Sequence, residues 1–146
     1  MTAKLGPPPP ASSAAVSRSM RGNAPKGTQP EIVLRQLLWS NGLSGYRLHW
    51  RSAPGRPDVA YPGRKLAIFV NGCFWHRCPH CRPPMPKTNV EFWARKFELN
   101  VERDARKTRE LEDAGWAVRT VWECQLRCEP DEVVATIREQ LGSLSR

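Results

Sequence analysis

Apolar side chains first recur at helical spacing in Ile32, Leu34, Leu37, Leu38 and Trp39. Thr28 ahead of them suits a cap, Pro30 the first turn, and Glu31 the return position of a capping box. The pattern predicts a helix that opens at Thr28 and ends by Gly42. Residues 46–50 alternate apolar and polar side chains, which is the period of a strand. Gly55-Arg56-Pro57 then reads as a turn, residues 58–61 as a short strand, and Pro62-Gly63 as a tight turn. The longest pure apolar run, Leu66-Ala67-Ile68-Phe69-Val70, has the length of a buried strand, so residues 65–70 are predicted to be the central one.

A cysteine-bearing loop follows, to about Lys87. Thr88-Asn89-Val90-Glu91 reads as a second capping box, opening a long charged helix that stops near Gly115. Residues 117–122 read as a strand, with Trp116 leading it, and residues 131–141 as a closing helix. The order is helix, three strands, helix, strand, helix. It predicts an α/β domain with a mixed sheet flanked by helices.

Composition bounds this picture. The chain has 146 residues and 40% hydrophobic residues, enough for one domain with one modest core. No apolar run approaches a membrane span, and the N-terminus lacks the order of a secretory signal. A soluble, cytoplasmic protein is expected. Residues 1–27 carry a proline run at 7–10 and then Ala, Ser and the basic Arg18, Arg21 and Lys26. With few large apolar groups, that segment cannot offset its own ordering entropy. It reads as a mobile basic arm that orders on DNA, leaving 28–146 as the folded domain. The net charge of +9 favours a polyanionic partner through phosphate neutralisation and counterion release.

Five cysteines stand at 73, 78, 81, 124 and 128. An odd count in a reducing compartment argues against a disulfide framework, and three within nine residues suggest a metal. Cys78-Pro79-His80-Cys81 is a knuckle spacing, and Cys73 lies just before it. A fourth ligand comes from Cys124, at the end of the last strand, or from Cys128, and His80 is an alternative to Cys81. Four such soft ligands describe a structural zinc site.

Asp58 follows Pro57 at the head of a strand, and Glu31 lies on the first helix. Carboxylates so placed suit Mg²⁺ and phosphodiester chemistry, although an acid in this position also suits a simple turn. His76 follows the central strand closely and suits a general acid or base, a zinc ligand or a surface position. Phe74 and Trp75 are adjacent large apolar groups in a polar loop, with Phe92-Trp93 just beyond. Phe74, Trp75 and Trp93 suit either wedges in a base step or a small core over the metal, while Phe92 suits the core.

Several runs together resemble the very short patch repair (Vsr) endonucleases. They are Gly55-Arg56-Pro57-Asp58, Asn71-Gly72-Cys73-Phe74-Trp75-His76, Glu91-Phe92-Trp93, Asn100-Val101-Glu102-Arg103-Asp104, Gly115-Trp116 and Val121-Trp122-Glu123-Cys124. The resemblance implies a restriction-endonuclease-like fold with a structural Zn²⁺. It also implies Mg²⁺-dependent nicking of one strand 5′ to the thymine of a T:G mismatch, the product of 5-methylcytosine deamination. Double-stranded DNA carrying that mismatch is then the partner. A cytosine methyltransferase is the natural companion, and mismatch-repair proteins are candidate contacts of a monomeric, nucleoid-associated chain.

By position, the resemblance makes Asp58 and the Val70 carbonyl Mg²⁺ ligands, His76 the catalytic histidine and Glu31 its supporting carboxylate. Phe74, Trp75 and Trp93 match intercalating aromatics, and Met20 matches a wedge on the N-terminal arm. Asn71 stands where some members carry a second catalytic histidine. It can position a phosphate or water but carries no proton at neutral pH. Cys78 stands where some members have a histidine, a change zinc tolerates, and Asn23 stands in place of a second wedge.

Overall fold

The computed structural model describes residues 28–144. Its elements are α1 (Gln29–Ser40), β1 (Arg47–Leu48), β2 (Val59–Tyr61), β3 (Leu66–Asn71), α2 (Cys73–His76), α3 (Val90–Asp113), β4 (Ala117–Trp122), α4 (Glu123–Cys128) and α5 (Pro130–Ser143). The sheet order is β1-β2-β3-β4, antiparallel up to β3 and parallel between β3 and β4. A parallel pair needs a crossover, and α3 supplies it.

β3 is central because its residues are apolar on both faces. Leu66, Ile68 and Val70 enter the main core with Leu34 and Leu38 of α1, Val121 of β4, and Val133 and Ile137 of α5. Ala67 and Phe69 face the other way, onto Leu111 of α3 with Trp50, Trp116 and Val118. Helices therefore cover both faces, as the element order predicts. Burying each large aliphatic of this core contributes roughly 1.5–3 kcal/mol. Among the described residues, no helix is long and apolar enough to cross a membrane.

α3 ends where Gly115 adopts φ +89°. The Trp116 N–H donates to the Leu111 carbonyl (2.9 Å) and the Gly115 N–H to that of Glu112 (3.0 Å), the paired bonds of a Schellman motif. Trp116 is thereby turned back toward the sheet at the start of β4.

Four local expectations are corrected. Neither capping box forms: Thr28 and Asn89 are the caps but neither side chain makes a capping bond, and Asn89 is left-handed at φ 55°. Asn tolerates that conformation better than most residues. The strand expected over 46–50 shortens to Arg47–Leu48, because His49 has φ 49° and breaks the extended run. The loop after β3 opens with α2, and α4 follows β4 directly. At four and six residues, these helices are too short to leave a periodic signal. The closing helix begins at Pro130 and runs to Ser143.

Candidate functional site

The antiparallel registers bring the acidic residues together. Val59 pairs with Ile68, so Asp58 lies just beyond that pair, at the level of Phe69 and within reach of Val70. The Val70 N–H donates to Asp58 Oδ2 at 2.8 Å. Leu48 pairs with Val59, so His49 falls opposite Asp58, and its N–H donates to the Asp58 carbonyl at 3.1 Å. α1 delivers Glu31, only 8% exposed, with Oε2 3.4 Å from His49 Nε2. One ligand atom from each of Glu31, His49 and Asp58 lies within 4.8 Å of the other two.

The electrostatics follow from this crowding. Burial pushes the Asp58 carboxyl up to about 7, and the nearby Glu31 charge adds to the rise. The Val70 N–H, Lys107 and His76 pull the other way without cancelling it. Two carboxylates clustered beside a half-buried imidazole form a donor set that suits a divalent cation, which would relieve the like-charge repulsion. Sequence reading picked out Asp58 and Glu31 but missed His49. The missing signal was the strand register.

His76 closes α2, and its Nδ1 lies 2.5 Å from Asp104 Oδ2 on α3. Asp104 was legible only as part of a motif, without a role. Asn71, at the end of β3, is 7% exposed and lines a small cavity with Phe69, Asp104, Lys107, Thr108 and Thr120. Asp104 thus contacts His76 and shares a small cavity with Asn71.

The cysteine cluster is assembled as expected. Sulfurs of Cys73, Cys78, Cys81 and Cys124 all lie within 4.8 Å of one another. Cys78 and Cys124 are 3.7 Å apart, close to the roughly 3.8 Å edge of a tetrahedron with Zn–S bonds of about 2.3 Å. The Cys124 N–H donates to Cys73 Sγ (3.3 Å) and the His80 N–H to Cys78 Sγ (3.4 Å). Such bonds favour thiolates. Burial raises the Cys73 and Cys124 thiols, while at Cys78 the N–H groups of Cys81 and His80 help outweigh burial and lower it. Cys128 is exposed and outside the group, and the His80 ring instead meets Trp122 edge-on at 6.5 Å.

An aromatic cap joins α2 to α3. Phe74 meets Trp75, Trp93 and Phe97 at centroid distances of 5.2, 5.7 and 5.3 Å, and Trp93 stacks on Phe97 at 5.7 Å. The Arg77 guanidinium lies over the Phe97 ring at 4.3 Å from its centroid. Phe74 and Trp75 are half-buried, whereas Trp93 is 3% exposed. Phe92, expected in the core, is only half-buried, while the burial of Trp93 matches the small-core alternative for that residue.

Comparison with known proteins resolves the family. Residues 12–82 match the family model described as DNA mismatch endonuclease Vsr. The chain is 44% identical to the DNA mismatch endonuclease Vsr of Escherichia coli (strain K12) over 112 residues, 76% of this chain and 70% of that protein. The chain belongs to the Vsr family. As a Vsr-family endonuclease it is a DNA-cleaving hydrolase. It is also similar to type II nicking enzymes. It is 45% identical to V.XorIIP of Xanthomonas oryzae pv. oryzae over 102 residues, covering 69% of this chain and 74% of that one. It is 40% identical to V.NaeI of Lentzea aerocolonigenes over 134 residues, covering 88% and 77%.

The Vsr-family match spans Glu31, Asp58, Asn71, His76 and three of the four clustered cysteines. Cys124, Trp93 and Asp104 lie beyond it and are brought in by β4, α4 and α3. Arg18, Met20, Arg21 and Lys26 fall outside the described residues.

Proposed function

We propose that this Vsr-family endonuclease nicks one strand of duplex DNA 5′ to the thymine of a T:G mismatch, in a Mg²⁺-dependent reaction. The observation that carries the reading is the clustered trio of Glu31, His49 and Asp58, with His76 held by Asp104 nearby. A restriction-endonuclease-like arrangement of the mixed sheet, a structural Zn²⁺ and a monomer acting in the cytoplasm belong to the same reading.

Asp58, with the Val70 carbonyl, would hold the Mg²⁺, and Glu31 would support it from α1. The bound ion supplies Lewis-acid stabilisation of charge on the scissile phosphate. Asp104 engages His76 Nδ1, so Nε2 is the nitrogen left to move a proton during hydrolysis. Asn71 hydrogen-bonds phosphate or water without titrating. Cys73, Cys78, Cys81 and Cys124 would hold the Zn²⁺, which would tie α2, and with it His76, to α4. Phe74 and Trp75 offer rings to the disturbed stack. Trp93 joins them only if the cap opens, since it is buried beneath them in the free chain.

The test is a nicking assay on otherwise identical T:G and T:A duplexes with Mg²⁺ or EDTA. The expected result is a single nick in the thymine strand of the T:G duplex, lost with EDTA and in Asp58→Ala, while Asp58→Ala still binds the mismatch. Equal cutting of both strands of matched DNA would overturn the reading.

A further inference from the structure

His49 is held where a metal ligand is needed. The β1–β2 register sets it opposite Asp58, and the 3.1 Å bond from its N–H to the Asp58 carbonyl locks the two backbones together. It does so at φ 49°, a left-handed conformation that a non-glycine side chain adopts at a cost. That turn ends β1 and leaves Nε2 3.4 Å from Glu31 Oε2. Two ligand atoms each about 2.1 Å from one ion stand roughly 3.0–3.4 Å apart for angles between octahedral and tetrahedral. The separation is therefore that of a shared ion as well as of a weak ion pair.

We propose that His49 is an imidazole ligand of the catalytic cation held by Asp58 and Glu31. The inference rests on the cation site proposed above and adds a nitrogen donor to it. The consequence is a changed metal preference. An all-oxygen shell suits Mg²⁺, whereas an imidazole favours the softer transition metals along the Irving–Williams series. This site prefers Mn²⁺ to Mg²⁺.

The chain has three histidines, at 49, 76 and 80, so the nitrogen donor can be traced. Mn²⁺ is titrated into the DNA-free full chain and followed by electron paramagnetic resonance, with electron spin echo modulation reporting directly bound ¹⁴N. Wild type is expected to show histidine nitrogen modulation. His49→Gln should lose it and bind Mn²⁺ about 10–100-fold more weakly, the scale of losing a well-placed metal-site partner. Mg²⁺ affinity, measured by competition, should change less. His76→Gln should retain the modulation.

Bound Mn²⁺ without ¹⁴N modulation in wild type overturns the proposal, a measurement that needs no variant to fold. Modulation that survives in His49→Gln and vanishes in His76→Gln also overturns it. Asp58→Asn separates the two levels: if it leaves Mn²⁺ affinity unchanged, or if wild type binds no Mn²⁺ at millimolar concentration, the cation site itself is wrong. If Asp58→Asn abolishes binding while His49→Gln does not alter it, only the role of His49 fails.

Discussion

Asp58 carries the clearest consequence at the scale of single residues. Its carboxyl is raised from 3.8 to about 7, first by burial and then by Glu31. Between those values the unfolded carboxyl is ionised and the folded one is protonated. The folded state therefore binds more protons, and stability falls as pH rises through that window and levels off above it. Cation-free protein should melt progressively lower from about pH 4 to about pH 7, by an amount worth at most roughly 4 kcal/mol at about 1.4 kcal/mol per unit. Asp58→Asn should remove most of that slope in a series of thermal melts. Function runs in the opposite sense, because a cation must displace the proton. At sub-saturating Mg²⁺, nicking should rise with pH through about 7, and the midpoint should move lower as Mg²⁺ increases. A midpoint indifferent to Mg²⁺ would remove Asp58 from the cation shell.

His76 belongs to the same scale. His76→Ala should reduce nicking by on the order of 10²-fold or more, the usual scale of an acid or base, and Asn71→Ala by less. Asp104→Asn should also lower the rate with mismatch affinity preserved, because an amide can hold the ring in the wrong tautomer. Single-turnover rates alongside binding curves distinguish these outcomes, and equal losses for His76→Ala and Asn71→Ala would mean the roles are misassigned.

Among the elements, α2 and α4 depend most on their neighbours. Neither is long enough to be stable alone, and the cysteines that join them are buried together with Trp122 against them. One Zn²⁺ per chain is expected, and chelation should lower the melting temperature and abolish nicking, since structural zinc contributes folding free energy directly. Cys78→His should keep the metal and Cys128→Ser should change nothing. Freshly purified protein without zinc by elemental analysis would refute the site.

The aromatic cap divides in the same way. Trp93 is buried against Phe97, so Trp93→Ala should cost roughly 3–5 kcal/mol of stability. Trp75 is half-buried. Its loss should cost less stability and weaken binding to mismatched DNA selectively, on the scale of about 1–3 kcal/mol per stacked base. A lower melting temperature for Trp75→Ala with an unchanged mismatched-to-matched affinity ratio would make the cap a core rather than a reader.

For the whole molecule, the net charge of +9 predicts salt-sensitive binding to any duplex. Neutralising Arg18, Arg21 and Lys26 should weaken matched and mismatched DNA alike and flatten the salt dependence, in contrast to Trp75→Ala. The family match begins at residue 12, ahead of α1, which supports treating that segment as part of the working unit. Binding measured across a salt series for both duplexes decides whether the basic segment contacts phosphate.

What the sequence determined by itself is what depends on short stretches of chain. The apolar run of β3, the period of α1 and the glycine stop of α3 are local, so the order of the strands and long helices and the mixed sheet were legible, while the short α2 and α4 were not. So were the cysteine spacing and the Asp58 and His76 motifs, because each is a contiguous pattern of chemistry. Only the tertiary structure decided what meets what. His49 reached Asp58 through strand register and a left-handed turn, neither of which a local pattern encodes. Asp104 reached His76 from a helix 28 residues away, and of the two cysteines of α4 only Cys124 joins the sulfur group while Cys128 stays exposed. Trp93 and Phe92 are equally apolar in sequence, and packing against Phe74 and Phe97 alone settled which of them is buried. Periodicity reports which face of an element is apolar. The partner of a polar atom is set by long-range packing, and that is where this protein's candidate chemistry resides.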